Sequence, residues 1–298
     1  MNKSEHFKSG FVAVVGRPNV GKSTMINALI GDKIAIVSDK AQTTRNRIIC
    51  VYTDEEKQIV FMDTPGVHKP KHKLGEFMVD AAIESLKETE AVLFVVAGNE
   101  KRGPGDNFII EQLKRVKVPV FLVVNKIDTL QKEQLLEAIV SYQDAYPFAG
   151  VIPISAKNKD NLEELLNVLS TNLPEGPQYF PEDMITDQPE RLIISDIVRE
   201  KILLSTRDEI PHAIAVDVDE MKTRDDGTTY IRATIYCERD SQKGIIIGKK
   251  GALLKQLGAE ARADIQKLLA TKVYLDLWVK VKKDWRNKSG MLSELGYK

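Results

Sequence analysis

Short, uninterrupted apolar runs punctuate the first 170 residues: FVAVV at 11–15, AVLFVV at 91–96, VPVFLVV at 118–124 and VIPI at 151–154. Runs this short and this rich in Val and Ile suit strands buried on both faces of a parallel sheet. Between them apolar residues recur at helical spacing, around Phe77, Ala81 and Leu86 and again around Leu135, Leu136 and Ile139. RIICVY (47–52) and KQIVFM (57–62) are parted only by the polar residues 53–56. That pair predicts a hairpin, and so one antiparallel edge strand on a mostly parallel α/β sheet.

The pattern then changes. Residues 171–190, TNLPEGPQYFPEDMITDQPE, hold four of the twelve prolines and no apolar period. They read as an interdomain linker. A helical pattern follows through Leu192, Ile193, Ile197 and Val198, then two strand-like runs, HAIAVDVDEM (212–221) and TYIRATIYCE (229–238), joined by the turn-like RDDG (224–227). A helix (252–270), a strand (272–281) and a last short helix complete an α-β-β-α-α-β-α order, expected of a small α+β domain. The predicted organisation is a first domain over 1–172, a linker over 173–190 and a second domain over 191–298. A length of 298 residues agrees with two domains.

Composition changes this picture in one respect. Hydrophobic residues at 43% and charged residues at 29% are ordinary for a soluble globular chain, and net charge is zero. The zero conceals an asymmetry: residues 181–240 carry 8 basic against 15 acidic side chains, and residues 241–298 carry 13 against 5. A basic end suggests a polyanion partner, although a solvated lysine-rich tail is as good a reading of charge alone. Cys50 and Cys237 have no paired or metal-like spacing, and the four histidines form no ligand cluster. The expectation is a reducing, cytoplasmic setting. No stretch approaches 18 apolar residues, and the first ten residues lack the apolar core of a signal peptide.

Gly16-Arg17-Pro18-Asn19-Val20-Gly21-Lys22-Ser23, followed by Thr24, matches a P-loop between a strand and a helix. Its glycines let backbone N–H groups converge on nucleotide phosphates. Lys22 would reach the β- and γ-phosphates and the Ser23 hydroxyl would ligate Mg²⁺. Asp63-Thr64-Pro65-Gly66 follows the hairpin's second strand. There Asp63 can hold Mg²⁺ through water and the Gly66 N–H can meet the γ-phosphate. Asn125-Lys126-Ile127-Asp128 ends a buried strand, and the two Asp128 oxygens match the N1–H and N2–H₂ donors that guanine has and adenine lacks. Ser155-Ala156-Lys157 ends the next strand, where the Ala156 N–H can donate to guanine O6. Each short motif is weak alone; their order, each at a strand's C-terminal end, makes GTP and GDP the expected ligands.

GRPNVGKST, QTTR (42–45), DTPG, NKID and SAK resemble the translation-factor-related GTPases, and more narrowly the Era family. The resemblance implies a Mg²⁺-dependent GTPase whose switch threonine maps onto Thr44, with Thr43 as the alternative. Thr44 would complete the Mg²⁺ shell only while the γ-phosphate is present. Ras-like enzymes place a water-orienting glutamine after this DxxG; here the position is Val67. The Asn19 carbonyl oxygen is expected to help hold K⁺ beside the phosphates, as the matching Asn is associated with in similar GTPases. The expected catalytic group is therefore Asn19, Lys22, Thr44 and Gly66, with slow intrinsic turnover.

A second glycine-and-lysine turn, Gly248-Lys249-Lys250-Gly251, lies between helical patterns at 241–247 and 252–270 in the basic region. Helix–GxxG–helix is the mark of a KH domain, whose loop clamps about four unpaired nucleotides. Both strands precede it, as in the type II arrangement and as in the C-terminal domain of the Era family. Gly248 and Gly251 would admit the sugar–phosphate chain and Lys249 and Lys250 would attract it. Ile245 and Ile246 are expected to floor a groove for bases, and Lys280, Lys282 and Lys283 to widen the positive surface. The resemblance implies that the partner is single-stranded ribosomal RNA near the 3′ end of the small-subunit RNA, and that the role is small-subunit assembly; the chain is expected to be a monomer. A membrane-associated signalling GTPase, peripheral on the inner face of the cell membrane and docked through its basic end, is the alternative reading.

Overall fold

The computed structural model describes residues 6–32, 34–38, 40, 43–67, 70 and 72–297, so Gln42 of the QTTR stretch and His68 lie outside the described residues. The chain divides into two compact units, one holding most of the chain up to Asp187 and one holding the chain from Gln188 onward together with two short stretches that include Ser38 and His72–Leu74. The first contains β1 (Lys8–Val15), α1 (Lys22–Ile30), β2 (Ile48–Thr53), β3 (Lys57–Asp63), α2 (Lys73–Glu84), β4 (Ala91–Ala97), α3 (Pro104–Leu113), β5 (Val120–Asn125), α4 (Lys132–Gln143), β6 (Gly150–Pro153) and α5 (Leu162–Asn172). Its sheet order is β2-β3-β1-β4-β5-β6, with β2 alone antiparallel to its neighbour. β4 and β5 are buried at every position, which is why their sequences are apolar without alternation. Each fully buried Val, Leu or Phe there stabilises the fold by about 1.5–3 kcal/mol. One core lies on each sheet face: Met25, Ile26, Leu165 and Leu169 contribute to one, Ile109, Ile110 and Tyr142 to the other. Leu136, expected on the inner stripe of α4, is 62% exposed, whereas Leu135 and Ile139 pack inward. Neighbouring residues on a helix point about 100° apart, so a stripe cannot hold both.

Residues 173–187, expected as linker, are bonded to the first unit. Leu173 is buried in its core. The Gln58 side chain donates to the Phe180 carbonyl at 2.9 Å and accepts from the Tyr179 and Phe180 amides at 2.7 and 3.0 Å. The Val51 N–H donates to the Ile185 carbonyl at 2.9 Å, and Thr186 Oγ1 to the Ile49 carbonyl at 2.7 Å. The prolines exclude periodic structure without excluding contact, and this segment covers the free edge of β2.

The second unit contains α6 (Glu190–Ser205), α7 (Ile210–Ala213), β7 (Ala215–Thr223), β8 (Thr229–Cys237), α8 (Asp240–Ile247), α9 (Ala252–Leu269), β9 (Val273–Val281) and α10 (Ser289–Glu294). The short α7 is an addition to the expected order. β7 and β8 are antiparallel, β8 and β9 parallel, in the order β7-β8-β9. Ile194, Val198, Ile231, Ile235, Leu257 and Ile265 form the core under one face of this sheet. Trp285 is fully buried and its Nε1–H donates to the Ala213 carbonyl at 2.9 Å, tying the C-terminal turn to the unit. Among the described residues no helix is long and apolar enough to cross a membrane.

Candidate functional site

β1 runs buried into the turn at Gly16, and α1 begins at Lys22 with Gly21 as N-cap at φ 98°. A glycine has no side chain with which to cap, so the first amides of α1 are left for an anion. Close approaches hold the turn. A Cβ on Gly66 would lie 2.7 Å from Pro18 Cα, and the Val67 N–H donates to the Gly16 carbonyl at 3.1 Å. Lys22 is 6% exposed and its Nζ donates to the Gly16 and Arg17 carbonyls, both at 3.1 Å. Thr24 is half-buried on the same first turn.

Ser23, Thr44 and Asp63 meet although they lie far apart in the chain. Ser23 Oγ donates to Asp63 Oδ2 at 2.8 Å and is 2.9 Å from Thr44 Oγ1, which is 3.4 Å from the same carboxylate oxygen. Asn27 fixes the segment after α1: its Oδ1 accepts from the Ile34 and Ala35 amides at 3.1 and 2.9 Å. Asp63 is fully buried, and among the described residues its Oδ1 has no hydrogen-bond partner. Burial pushes Lys22 down to about 8, against the pull of Asp63, and burial holds the Asp63 carboxyl above the usual carboxylate range, against the pull of Lys22. Each charge is thus under-compensated by the other, a phosphate suiting the one and a cation the other. Among the described residues no group of three or more His, Cys, Asp or Glu could hold a metal. Two hydroxyls and one carboxylate with an unpartnered oxygen instead fit Mg²⁺, which keeps several waters and takes phosphate oxygens.

Thr64, adjacent in the motif, is buried with its hydroxyl donating to the Val14 carbonyl at 2.7 Å, so it ties β3 to β1; Pro65 is buried beside it. Val67 is 5% exposed and packed in the core.

At the end of β5, Asn125 is 2% exposed. Its Nδ2 donates to the Val20 carbonyl at 2.9 Å, and its Oδ1 accepts from the Lys126 and Ala156 amides at 2.8 and 3.0 Å. The Ala156 N–H, expected to donate to guanine O6, is thus bonded inside the protein, and a base reaches it only by sharing or displacing that bond. Asp128 is exposed, with Oδ1 accepting from Ser155 Oγ at 2.6 Å, which orients the carboxylate. Lys126 takes φ 68° and Lys157 is exposed. Two acidic residues absent from the motifs brace these loops: Arg17 bonds Asp106 and Glu100, both at 2.9 Å, and Lys126 lies 3.6 Å from Glu100. Single-sequence reading has no signal for them, because the pairing joins the turn after β4 to the P-loop through space.

In the second unit Gly248 ends α8 at φ 74°, where a Cβ would lie 2.8 Å from the Leu253 Cβ. Gly251 caps α9 at φ 79°, and Lys249 and Lys250 between them are exposed. Beside the turn an open groove of about 410 Å³ is lined by Gly251, Leu254, Lys255, Gly258, Arg262 and Leu275, among others. Its floor is α9 and β9. Ile246, expected in that floor, is fully buried in the core, while Ile245 is 52% exposed and outside the groove lining. Lys280, expected to widen the positive surface, lies on the sheet face away from the groove, since strand alternation turns Leu275 and Leu277 to the groove and Lys280 to the opposite side. Lys282 lies over the Tyr236 ring at 5.3 Å, and Lys283 lines a separate crevice with Glu238 and Asp240. Lys255 and Arg262 supply the groove's cations instead.

Residues 11–126 match the family model for 50S ribosome-binding GTPases, and residues 209–286 match that for KH domains. Two solved structures are similar over nearly the whole chain. One is Era in complex with MgGDPNP and nucleotides 1506–1542 of 16S ribosomal RNA, 43% identical, covering 98% of this chain and 99% of that one at a TM-score of 0.95. The other is an Aquifex aeolicus Era variant bound to GDP and AlF₄⁻, 43% identical with the same coverage and a TM-score of 0.94.

Proposed function

This chain belongs to the Era family of GTPases, and from that premise we propose that it is a GTP-hydrolysing switch that binds single-stranded ribosomal RNA. Its target is the 3′ region of the small-subunit RNA, and its role is in assembly of that subunit. One observation carries the reading: both the phosphate cradle and the GxxG groove lie within a near full-length correspondence to a relative bound to a GTP analogue and 16S ribosomal RNA. The place of action is the cytoplasm, as a monomer. Nothing in the second unit favours a lipid over an RNA partner.

In the nucleotide site the Gly16–Gly21 turn and the first amides of α1 hold the phosphates, with Pro18 and Val20 shaping the turn and Arg17 bracing it. Lys22 offsets charge at the β- and γ-oxygens, and Ser23, Thr44 and Asp63 would hold Mg²⁺. When bound, Mg²⁺ would supply positive charge to the phosphate oxygens. Thr44 reports the γ-phosphate, Gly66 donates its N–H to it, and Asp128 selects guanine. Val67 cannot orient the attacking water, so hydrolysis is slow. Asn19 lies exposed in the P-loop turn at φ 65°, and its proposed role is to lend its carbonyl oxygen to K⁺ beside the phosphates. Turnover should therefore be faster in K⁺ than in Na⁺. Equal rates in both salts, unchanged by Asn19→Asp, would remove that role.

The test of the whole reading is fluorescence anisotropy of a labelled RNA carrying the 3′-terminal region of the small-subunit RNA, titrated with protein loaded with GDP or a GTP analogue. Binding is expected, with a marked loss in the Lys249→Glu/Lys250→Glu double variant. Indifference to RNA in both nucleotide states overturns it.

A further inference from the structure

The helices of the second unit cover one face of its sheet, and β8 buries Ile231, Ala233, Ile235 and Cys237 beneath them. The other face carries exposed aromatic rings on β8 and β9, beside Asp217, Asp219 and Glu220 of β7, the last two paired with Arg232. Tyr230 and Tyr274, directly opposite across β8 and β9, have nearly parallel rings with centroids 5.9 Å apart. Trp278 lies four residues further along β9, on the same side and about 13 Å away along the strand. Tyr274 is 52% exposed and Trp278 54%.

These side chains are held in place. Asp276, between Tyr274 and Trp278 on this face, accepts from Tyr230 OH at 3.2 Å and from Trp278 Nε1 at 3.0 Å. Its charge is thereby spent on fixing two rings. The Arg224 guanidinium lies 4.8 Å from the Tyr230 centroid and 4.9 Å from that of Tyr274. Lys280 extends the same row outward; it is exposed and makes no ion pair among the described residues. Scattered exposed apolar side chains need no explanation, but an ordered row of rings flanked by cations does.

We propose that this helix-free sheet face is a second RNA-binding surface, on which unpaired bases stack against Tyr274 and Trp278 while Arg224 and Lys280 meet the strand's phosphates. The proposal rests on the RNA-binding reading above and extends it beyond the GxxG groove. A GxxG loop holds about four nucleotides, so a longer strand must be held elsewhere. Aromatic rings and guanidinium planes stack bases without regard to sequence. A protein partner fits less well: interface cores are depleted of charge, and here Arg224, Asp276 and Lys280 interleave with the rings.

The test compares a long RNA, carrying the 3′-terminal region of the small-subunit RNA, with the same sequence trimmed to the groove's footprint. Both are titrated into full-length protein with Mg²⁺ and a GTP analogue. Tyr274→Ala/Trp278→Ala should weaken the long RNA roughly ten-fold or more, leaving the short RNA and GTP turnover unchanged. The long RNA should also quench Trp278 fluorescence, a signal absent in Trp278→Phe because the remaining Trp285 is buried. Undiminished affinity of the double variant for the long RNA overturns the proposal. So does loss of self-association, rather than of RNA, in that variant. If the wild-type protein binds neither RNA, the groove reading fails first; if it binds both and the variant matches it, only the sheet face fails.

Discussion

Asn125 joins three loops with one amide, because its side chain is bonded to the carbonyl of Val20 and the amides of Lys126 and Ala156. Asn125→Ala leaves these buried groups unpaired. It should cost about 2–4 kcal/mol by chemical denaturation, with weaker GDP binding in the survivors. Asp128 has the opposite character, exposed and available to a ligand. Asp128→Asn replaces one acceptor by a donor facing guanine's own donors. GTP affinity should fall about 100-fold or more, while a xanthine nucleotide, whose O2 accepts, binds better than to wild type. Lys22 makes a pH statement. Its folded pKa of about 8 lies below the ordinary lysine value of 10.5, so the unfolded chain binds more protons between those values. Stability of the nucleotide-free protein therefore rises with pH across that window. Phosphate favours the charged amine, so GDP binding at pH 8.5 should take up a proton, read by calorimetry in buffers of different ionisation enthalpy. Spacing alone marks Lys22, Ser23, Asp63 and Asp128 as candidates; it does not mark Glu100 and Asp106, which brace Arg17, since nothing in a linear chain marks a through-space pair.

The strands of the first unit were readable because burial on both faces demands continuous apolar sequence, which periodicity detects. Residues 173–187 misled because proline density resembles a free linker whether or not the backbone is docked. Their docking has a measurable consequence at the β2 edge. Thr186→Val removes the hydroxyl that donates to the Ile49 carbonyl, and should cost about 1 kcal/mol. The amide of Val51, bonded to the neighbouring Ile185 carbonyl, should then exchange with solvent faster. Ile245 and Ile246 show a second limit at this scale. The apolar run announces a helix at the GxxG turn, but only packing decides which isoleucine faces the core, and it is Ile246.

Taken whole, the chain separates a neutral nucleotide-binding unit from a unit with a basic end, and the two should respond differently to salt. For single strands the logarithm of affinity falls with that of salt by about 0.7 per neutralised phosphate. Removing Lys249 and Lys250 should therefore shallow the slope for RNA by about 1.4. GDP binding, made mostly by amides and buried groups, should change far less with the same substitutions. A slope unaltered in the double variant would place the phosphate contacts elsewhere.

Motif order along the chain determined the nucleotide chemistry, because P-loop, DxxG, NKxD and SAK act through backbone and side-chain types that their local spacing already specifies. It likewise determined the GxxG turn, where Gly248, at φ 74° and ψ 174°, leaves no room for a Cβ beside Leu253. The tertiary structure alone decided what faces what: that Thr44 reaches Ser23 and Asp63, that Lys255 and Arg262 line the groove in place of Ile246, and that Lys280 shares a sheet face with Tyr274 and Trp278. Facing is a property of packing, set by which surfaces bury the most apolar area together, and no short stretch of sequence contains that comparison.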